Sequence, residues 1–262
     1  MPAAGPSDPT PSTDADPAAG AAALRAVLFD LDGTLVDTSY VHTVCWWQAL
    51  LQFDRVLPMA SIHRAVGLGS DKILDHLLGD DRTDDERADD DDIIAAHATL
   101  FTVWYDRARP LPGAADLLHW CADAGLAVVM ATSGSSTDLE ALMATLDADD
   151  AVTASTTSAD AEHSKPDTDL LEVALERAGA EAVEAVFVGD AVWDMIAARR
   201  MGCAASGWSV GGRVRQSCAR PGHTRCGRTR PICWPMSKTP RSPGADGWSA
   251  GSAGRSSGRS TT

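Results

Sequence analysis

The stretch Ala26-Val27-Leu28-Phe29-Asp30-Leu31-Asp32-Gly33-Thr34-Leu35 decides how the rest of the chain is read. Its apolar, β-prone beginning is too short for a helix and reads as a buried strand that stops at two carboxylates and a glycine. A plain strand-to-loop turn is one account, since Asp and Gly are common turn residues. The other is chemistry, because open α/β sheets bind ligands at the carboxyl ends of their strands, where Asp30 and Asp32 would sit.

Working outward, residues 126–131 form a second apolar run that ends in Thr132-Ser133-Gly134, and residues 185–188 form a third that ends in Gly189-Asp190. Helical patterns at 114–124, 137–146 and 168–178 separate these runs, and a short strand is expected at 151–153. Strands alternating with helices predict an α/β fold, a Rossmann-like parallel sheet with helices on both faces. All strand ends of such a sheet lie on one edge, which gathers Asp30, Asp32, Thr132, Ser133 and Asp190. Lys165, in Ser164-Lys165-Pro166-Asp167, precedes a helix, and Asp194 opens the helix after Asp190.

Between the first and second βα units, residues 39–110 read as an all-helical insertion. Val41, Val44, Cys45, Trp47, Leu50 and Leu51 recur at helical spacing, and shorter helices at 58–66 and 70–78 flank Gly67-Leu68-Gly69, with Ser70 as an N-cap. An acidic run at 80–92 leads into an amphipathic stretch at 93–109. The expected organisation is therefore a disordered lead-in at 1–23, a sheet core at 24–38 and 111–205, the helical insertion at 39–110, and an irregular tail at 206–262.

The net charge of −15 is unevenly spread: residues 1–205 hold 12 Lys+Arg against 36 Asp+Glu, and residues 206–262 hold 10 against 1. The acidic part is poorly suited to nucleic acid or an anionic membrane, and its surface carboxylates fit a protein kept soluble in a salty cytoplasm. No run approaches the roughly 18 apolar residues of a membrane span, and no signal-peptide pattern opens the chain, so a cytoplasmic location is expected. The six cysteines include no Cys-x-x-Cys pair, against a zinc ribbon or a thioredoxin-like site, and the three before residue 206 read as buried thiols. The basic tail reads either as a phosphate- or RNA-binding arm or as a frame slip near Ala205. A shifted reading of 216–235 with GC-rich codons allows an acidic helix, a strand and another acidic helix.

Asp30-x-Asp32-Gly33-Thr34-Leu35, the strand ending in Thr132-Ser133, Ser164-Lys165-Pro166 and Gly189-Asp190-x-x-x-Asp194, in this order, resemble the four motifs of the haloacid dehalogenase superfamily. The helical insertion resembles the cap of its phosphoglycolate phosphatase and β-phosphoglucomutase-like branch. The resemblance implies a Mg²⁺-dependent phosphatase acting on a small phosphorylated metabolite through an aspartyl-phosphate. It makes Asp30 the nucleophile and Asp32 the general acid and base. Thr132, with Ser133 close by, would bind the phosphoryl oxygens, and Lys165 would neutralise the phosphate and hold Asp30 ionised. It implies Mg²⁺ held by Asp30, the Asp32 backbone carbonyl and Asp190, with Asp194 as a further ligand or behind them. His63-Arg64-Ala65-Val66-Gly67 resembles the substrate-reading loop, so Arg64 or Lys72 is expected to reach a second anionic group.

Plainer roles stand beside these: a solvent-exposed loop lysine for Lys165, a helix-dipole charge for Asp194, a helix cap for Thr132 and a surface charge for Arg64. The same residues would serve a β-phosphoglucomutase-like phosphotransferase, and a non-catalytic or decayed relative would keep the fold. Dehalogenases of the family lack the second acid that Asp32 supplies here. A phosphonate hydrolase wants a Schiff-base lysine in the cap, where Lys72 is the only lysine. Trp46 and Trp47 read as packing residues, Asp37 is given no role, and the oligomeric state stays open.

Overall fold

Residues 23–207 are described by the computed structural model. Alternation along β1 (Ala26–Phe29) divides the sheet into two faces. Val27 and Phe29 pack with Leu118 and Cys121 of α5 (Ala114–Asp123) and Leu139 and Leu142 of α6 (Ser136–Leu146). Ala26 and Leu28 pack with Leu170, Leu171 and Ala174 of α7 (Asp169–Ala178) and Ala197 and Ala198 of α8 (Val192–Met201). Each large side chain buried this way, such as Leu28, Phe29 or Phe187, contributes roughly 1.5–3 kcal/mol.

Among the described residues the sheet has five parallel strands in the order β3-β2-β1-β4-β5, with β2 at Ala127–Ala131, β3 at Ala154–Thr156, β4 at Ala185–Gly189 and β5 at Ala204–Gly207. β1 lies at the centre, paired Phe29 with Met130 of β2 and Phe29 with Val188 of β4. The chain winds one way from β1 to β3 and then the other way through β4 and β5. The crevice between the ends of β1 and β4 is thus the topological switch point, the place where such sheets bind ligands.

The insertion forms helices α1 (Ser39–Gln52), α2 (Met59–Ala65), α3 (Ser70–Leu78) and α4 (Asp90–Thr102). They bury their own core of Trp46, Leu50, Ile62, Ile73, Leu74 and Ile93. The chain enters and leaves this cap side by side: the Asp37 amide donates to the Arg109 carbonyl at 2.9 Å and the Leu111 amide to the Leu35 carbonyl at 2.8 Å. Among the described residues no helix is long and apolar enough to cross a membrane.

Several local expectations are corrected. The strand expected at 151–153 lies at Ala154–Thr156, because the amides of Ala151 and Val152 are spent on a 3₁₀ turn, bonded to the carbonyls of Ala148 and Asp149. Ser70 is the first helical residue and Gly69 the N-cap, its amide held instead by Ser164 Oγ at 3.2 Å. The stretch at 93–109 is not one helix: α4 starts earlier, on Asp90, Asp91 and Asp92, which suit the positive end of the helix dipole. It stops at Thr102, where bonding tightens into a 3₁₀ turn at Tyr105–Arg107. The sheet also gains β5, which carries strand pairing to Gly207, two residues past the expected end of the core at 205. The readings of the lead-in, the basic tail and the frame slip otherwise lie outside the described residues. Cys45, Cys121 and Cys203 are buried free thiols, as expected.

Candidate active site

The turn after β1 brings the acids together. Gly33 has φ +76°, and a Cβ there would lie 2.4 Å from Asp190 Oδ2 and 2.0 Å from Ser39 Oγ, so the turn requires a glycine on both conformational and steric grounds. Asp30 follows β1 directly, its amide bonded to the Val188 carbonyl, and Asp190 follows β4. The two carboxylates face the switch-point crevice from neighbouring strands. Asp194, in the first turn of α8, is fully buried and accepts from the Ala191 amide at 2.9 Å.

Lys165 completes the cluster from the loop before α7. It is 1% exposed, and its Nζ donates to Asp30 Oδ1 at 2.5 Å and to Asp194 Oδ1 at 2.8 Å, with the Phe187 ring centroid 5.6 Å away. A solvent-exposed loop lysine is therefore ruled out. Thr34 Oγ1 donates to Asp30 Oδ2 at 3.2 Å and to Asp190 Oδ1 at 3.3 Å, and Ser39 Oγ to Asp190 Oδ2 at 3.2 Å. Burial raises the Asp30 carboxyl well above the usual range, with Lys165 opposing and Asp194 and Asp190 reinforcing the rise. Burial and the Asp194 charge push Asp190 up to about 6. Burial works against the Lys165 charge, but the Asp194 and Asp30 carboxylates hold its pKa above the ordinary lysine value.

Three acids thus cluster with one ammonium, which bonds two of them, Asp30 and Asp194. Their oxygens lie within 4.8 Å of one another, an all-oxygen, electronegative donor set that fits a hard divalent cation. Asp194 has both a salt bridge to Lys165 and a place within that donor set, which goes beyond a helix-dipole charge.

Asp32 stands apart from this cluster. Its Oδ1 accepts from Thr38 Oγ1 at 2.6 Å and from His42 Nε2 at 3.0 Å. Burial opposes ionisation, but the His42 charge interaction and the bonds from His42 and Thr38 hold its carboxyl below the usual range. Two acids one residue apart are therefore pushed in opposite directions, Asp32 toward its ionised form and Asp30 away from it.

At the end of β2, Thr132 Oγ1 accepts from the Gly134 amide at 3.0 Å, whereas buried Ser133 Oγ has no partner among the described residues. Thr132 is not the helix cap: Ser135 caps α6, in a reciprocal box with Asp138. Arg64 is not brought to the cluster. It is exposed on α2 and donates to Ser61 Oγ at 3.2 Å. Lys72 is occupied elsewhere, bonded to the Ser164 carbonyl and to Asp167 Oδ2, which ties the cap to the Lys165 loop. The sequence reading missed Thr34, Thr38, Ser39 and His42 as partners of the acids. The spacing of Thr38 and His42, four apart at a helix start just after Asp32, carried that signal.

Residues 24–202 match the family model of haloacid dehalogenase-like hydrolases. The chain is 29% identical over 211 residues to the phosphoglycolate phosphatase of Escherichia coli (strain K12), covering 72% of this chain and 82% of that protein. It is similar to a hydrolase structure from Pseudomonas syringae, with a TM-score of 0.65 and 31% identity over 71% of this chain and 88% of that one. A β-phosphoglucomutase structure from Clostridium difficile shares the fold at a TM-score of 0.61 and 16% identity, covering 70% of this chain and 84% of that one. With its five-stranded parallel sheet, its helical cap and its buried acidic edge, the chain belongs to the haloacid dehalogenase-like hydrolases and is an enzyme of that family.

Proposed function

We propose that the chain is a Mg²⁺-dependent phosphatase of a small phosphorylated metabolite that works through an aspartyl-phosphate on Asp30. The observation that carries this reading is the buried Lys165 ammonium shared by Asp30 and Asp194 at the carboxyl edge of the sheet. Phosphoryl transfer needs little beyond positioning and charge neutralisation, and this edge is organised for both. Asp30, Asp190 and the Asp32 backbone carbonyl would hold Mg²⁺, with Asp194 as a further ligand or behind them. The ion would neutralise charge on the phosphoryl group.

In the first half-reaction an Asp30 carboxylate oxygen bonds to phosphorus, the ester P–O bond breaks and the leaving oxygen takes a proton from Asp32. In the second, Asp32 takes a proton from water, the water oxygen bonds to phosphorus, and the Asp30–phosphorus bond breaks to release phosphate. The second half needs Asp32 ionised, the form that His42 and Thr38 favour. For the first half, an incoming phosphate dianion beside it favours proton uptake. Ser133 Oγ, which has no partner among the described residues, is placed to bond a phosphoryl oxygen beside Thr132. Lys165 neutralises the transferring group.

Phosphoglycolate is the first substrate to try, given the naming of the Escherichia coli relative. The test is phosphate release from phosphoglycolate, sugar phosphates and p-nitrophenyl phosphate in high KCl, with and without Mg²⁺. The Asp30→Asn variant is expected to lose on the order of 10⁴-fold or more in turnover. Metal-independent release, or release that survives this substitution, would overturn the proposal. Isomerised sugar phosphate in place of free phosphate would point to a phosphotransferase on the same residues.

A further inference from the structure

The second carboxylate has a hydrogen-bonded support that runs deep into the cap. Asp32 Oδ1 accepts from both Thr38 and His42, while Oδ2 has no hydrogen bond among the described residues. Behind His42, its Nδ1 lies 3.1 Å from Nε2 of His97 on α4. An ionised carboxylate only accepts, so His42 Nε2 carries the hydrogen facing Asp32. In uncharged His42 that leaves Nδ1 as an acceptor, and the hydrogen between the two rings belongs to His97 Nε2.

Both rings are fixed by matched pairs four residues apart on facing helices, His42 with Trp46 and His97 with Phe101. His97 stacks on Trp46 at a centroid distance of 3.9 Å and 11°, and His42 stacks on Phe101 at 3.9 Å and 24°. Burial, with His42 alongside, holds the His97 pKa well below the ordinary histidine range, so this ring stays neutral and presents one N–H.

We propose that His97 is a positioning residue for the reaction: its Nε2–H donates to His42 Nδ1, fixes the His42 tautomer and keeps Asp32 Oδ1 occupied, so that Oδ2 exchanges protons with substrate and water. The kinetic part of this inference rests on the phosphatase reading above. The hydrogen-bond direction does not.

His97→Phe keeps a stacking ring and removes the donor, and His97→Gln returns an amide N–H near the Nε2 position. Kinetics on the substrate that the wild type turns over should show a kcat about 10- to 100-fold lower for His97→Phe, with KM little changed and substantial recovery in His97→Gln. Thermal melts should find both variants cooperatively folded. ¹⁵N NMR of the imidazoles should show His42 as the Nε2–H tautomer in the wild type and in His97→Gln, and a mixture in His97→Phe. An unchanged kcat and tautomer in His97→Phe, or a His97→Gln as impaired as His97→Phe, would leave His97 as packing and overturn the inference. If the wild type releases no phosphate, the phosphatase reading fails on its own, and the NMR comparison still decides the role of His97.

Discussion

At the sheet edge Asp30, Asp190 and Asp194 cluster with one ammonium, that of Lys165, which bonds Asp30 and Asp194; in the cap Asp75 and Asp90 share the two guanidiniums of Arg82 and Arg87. The cap cluster balances its charges. Arg82 grips Asp90 with two bonds of 2.7 and 2.8 Å and reaches Asp75 at 2.8 Å, and Arg87 also bonds Asp75. Burial resists the Asp75 charge, but these bonds hold its carboxyl below the usual range, whereas Asp190 at the sheet edge is pushed up to about 6. The same residue types therefore give a charge-balanced cluster that fastens a loop and one with acids in excess, whose oxygens could hold a metal ion. Excess charge kept out of water is the mark of a working site.

Removing the single cation should break this contrast most sharply. Lys165→Met would leave three neighbouring carboxylates without their counter-ion, and the loss is expected to be about 3–5 kcal/mol at neutral pH without added metal. Chemical denaturation checks it, and lowering the pH should restore part of the loss as the acids take up protons.

The next effect separates the two clusters by pH. Asp190 is raised in the folded chain to about 6 from an ordinary 3.8, so the folded state binds more protons than the unfolded one between those values. Stability of the metal-free protein should then fall as pH rises from about 4 through about 6, by on the order of 2–3 kcal/mol from this group. Melting curves across that range, repeated with Mg²⁺, should show the decline and its relief by the cation. Asp75 works with the opposite sign: its stabilisation is present above the ordinary carboxylate pKa and is lost as pH falls through its lowered folded value.

The smallest effect lies in the cap. Arg82→Ala should cost about 1–2 kcal/mol, since it removes charge-assisted bonds at a partly solvated site, and should leave the Asp30 chemistry in place. Denaturation midpoints and phosphate release, measured on the same sample, check both halves of that expectation. A large loss of turnover would mean that the two clusters are coupled.

The central strands were legible because β1, β2 and β4 are apolar runs bounded by turn residues. β5 was not, since Ala204-Ala205-Ser206-Gly207 has small side chains, sits at the end of the sheet order and stays partly exposed. Val152 and Thr153 mimic a strand locally, and only the turn hydrogen bonds of Ala151 and Val152 displace its start to Ala154. At the site, Asp30, Lys165, Asp190 and Asp194 were legible together because the sheet carries their segments to one edge. Ser39 and His42, and His97 behind His42, were not, because they come from cap helices whose placement over the edge is a tertiary fact. Lys72 misled for the same reason: a free-looking cation in the sequence is spent on Ser164 and Asp167 in the fold.

The bridge through which the chain leaves and rejoins the core has a consequence for the insertion. Val36 bridges Pro110 antiparallel, flanked by the bonds from Asp37 to Arg109 and from Leu111 to Leu35, so the insertion fastens its own two ends together. The sheet meets it as it would meet a tight hairpin. Closure entropy grows only slowly with loop length, so whatever lies beyond Asp37 and Arg109 can be lengthened, exchanged or shortened at small thermodynamic cost to the strands beneath. The four-helix cap is thus joined to the core in a way that leaves the register holding Asp30 beside Asp190 to the strands themselves.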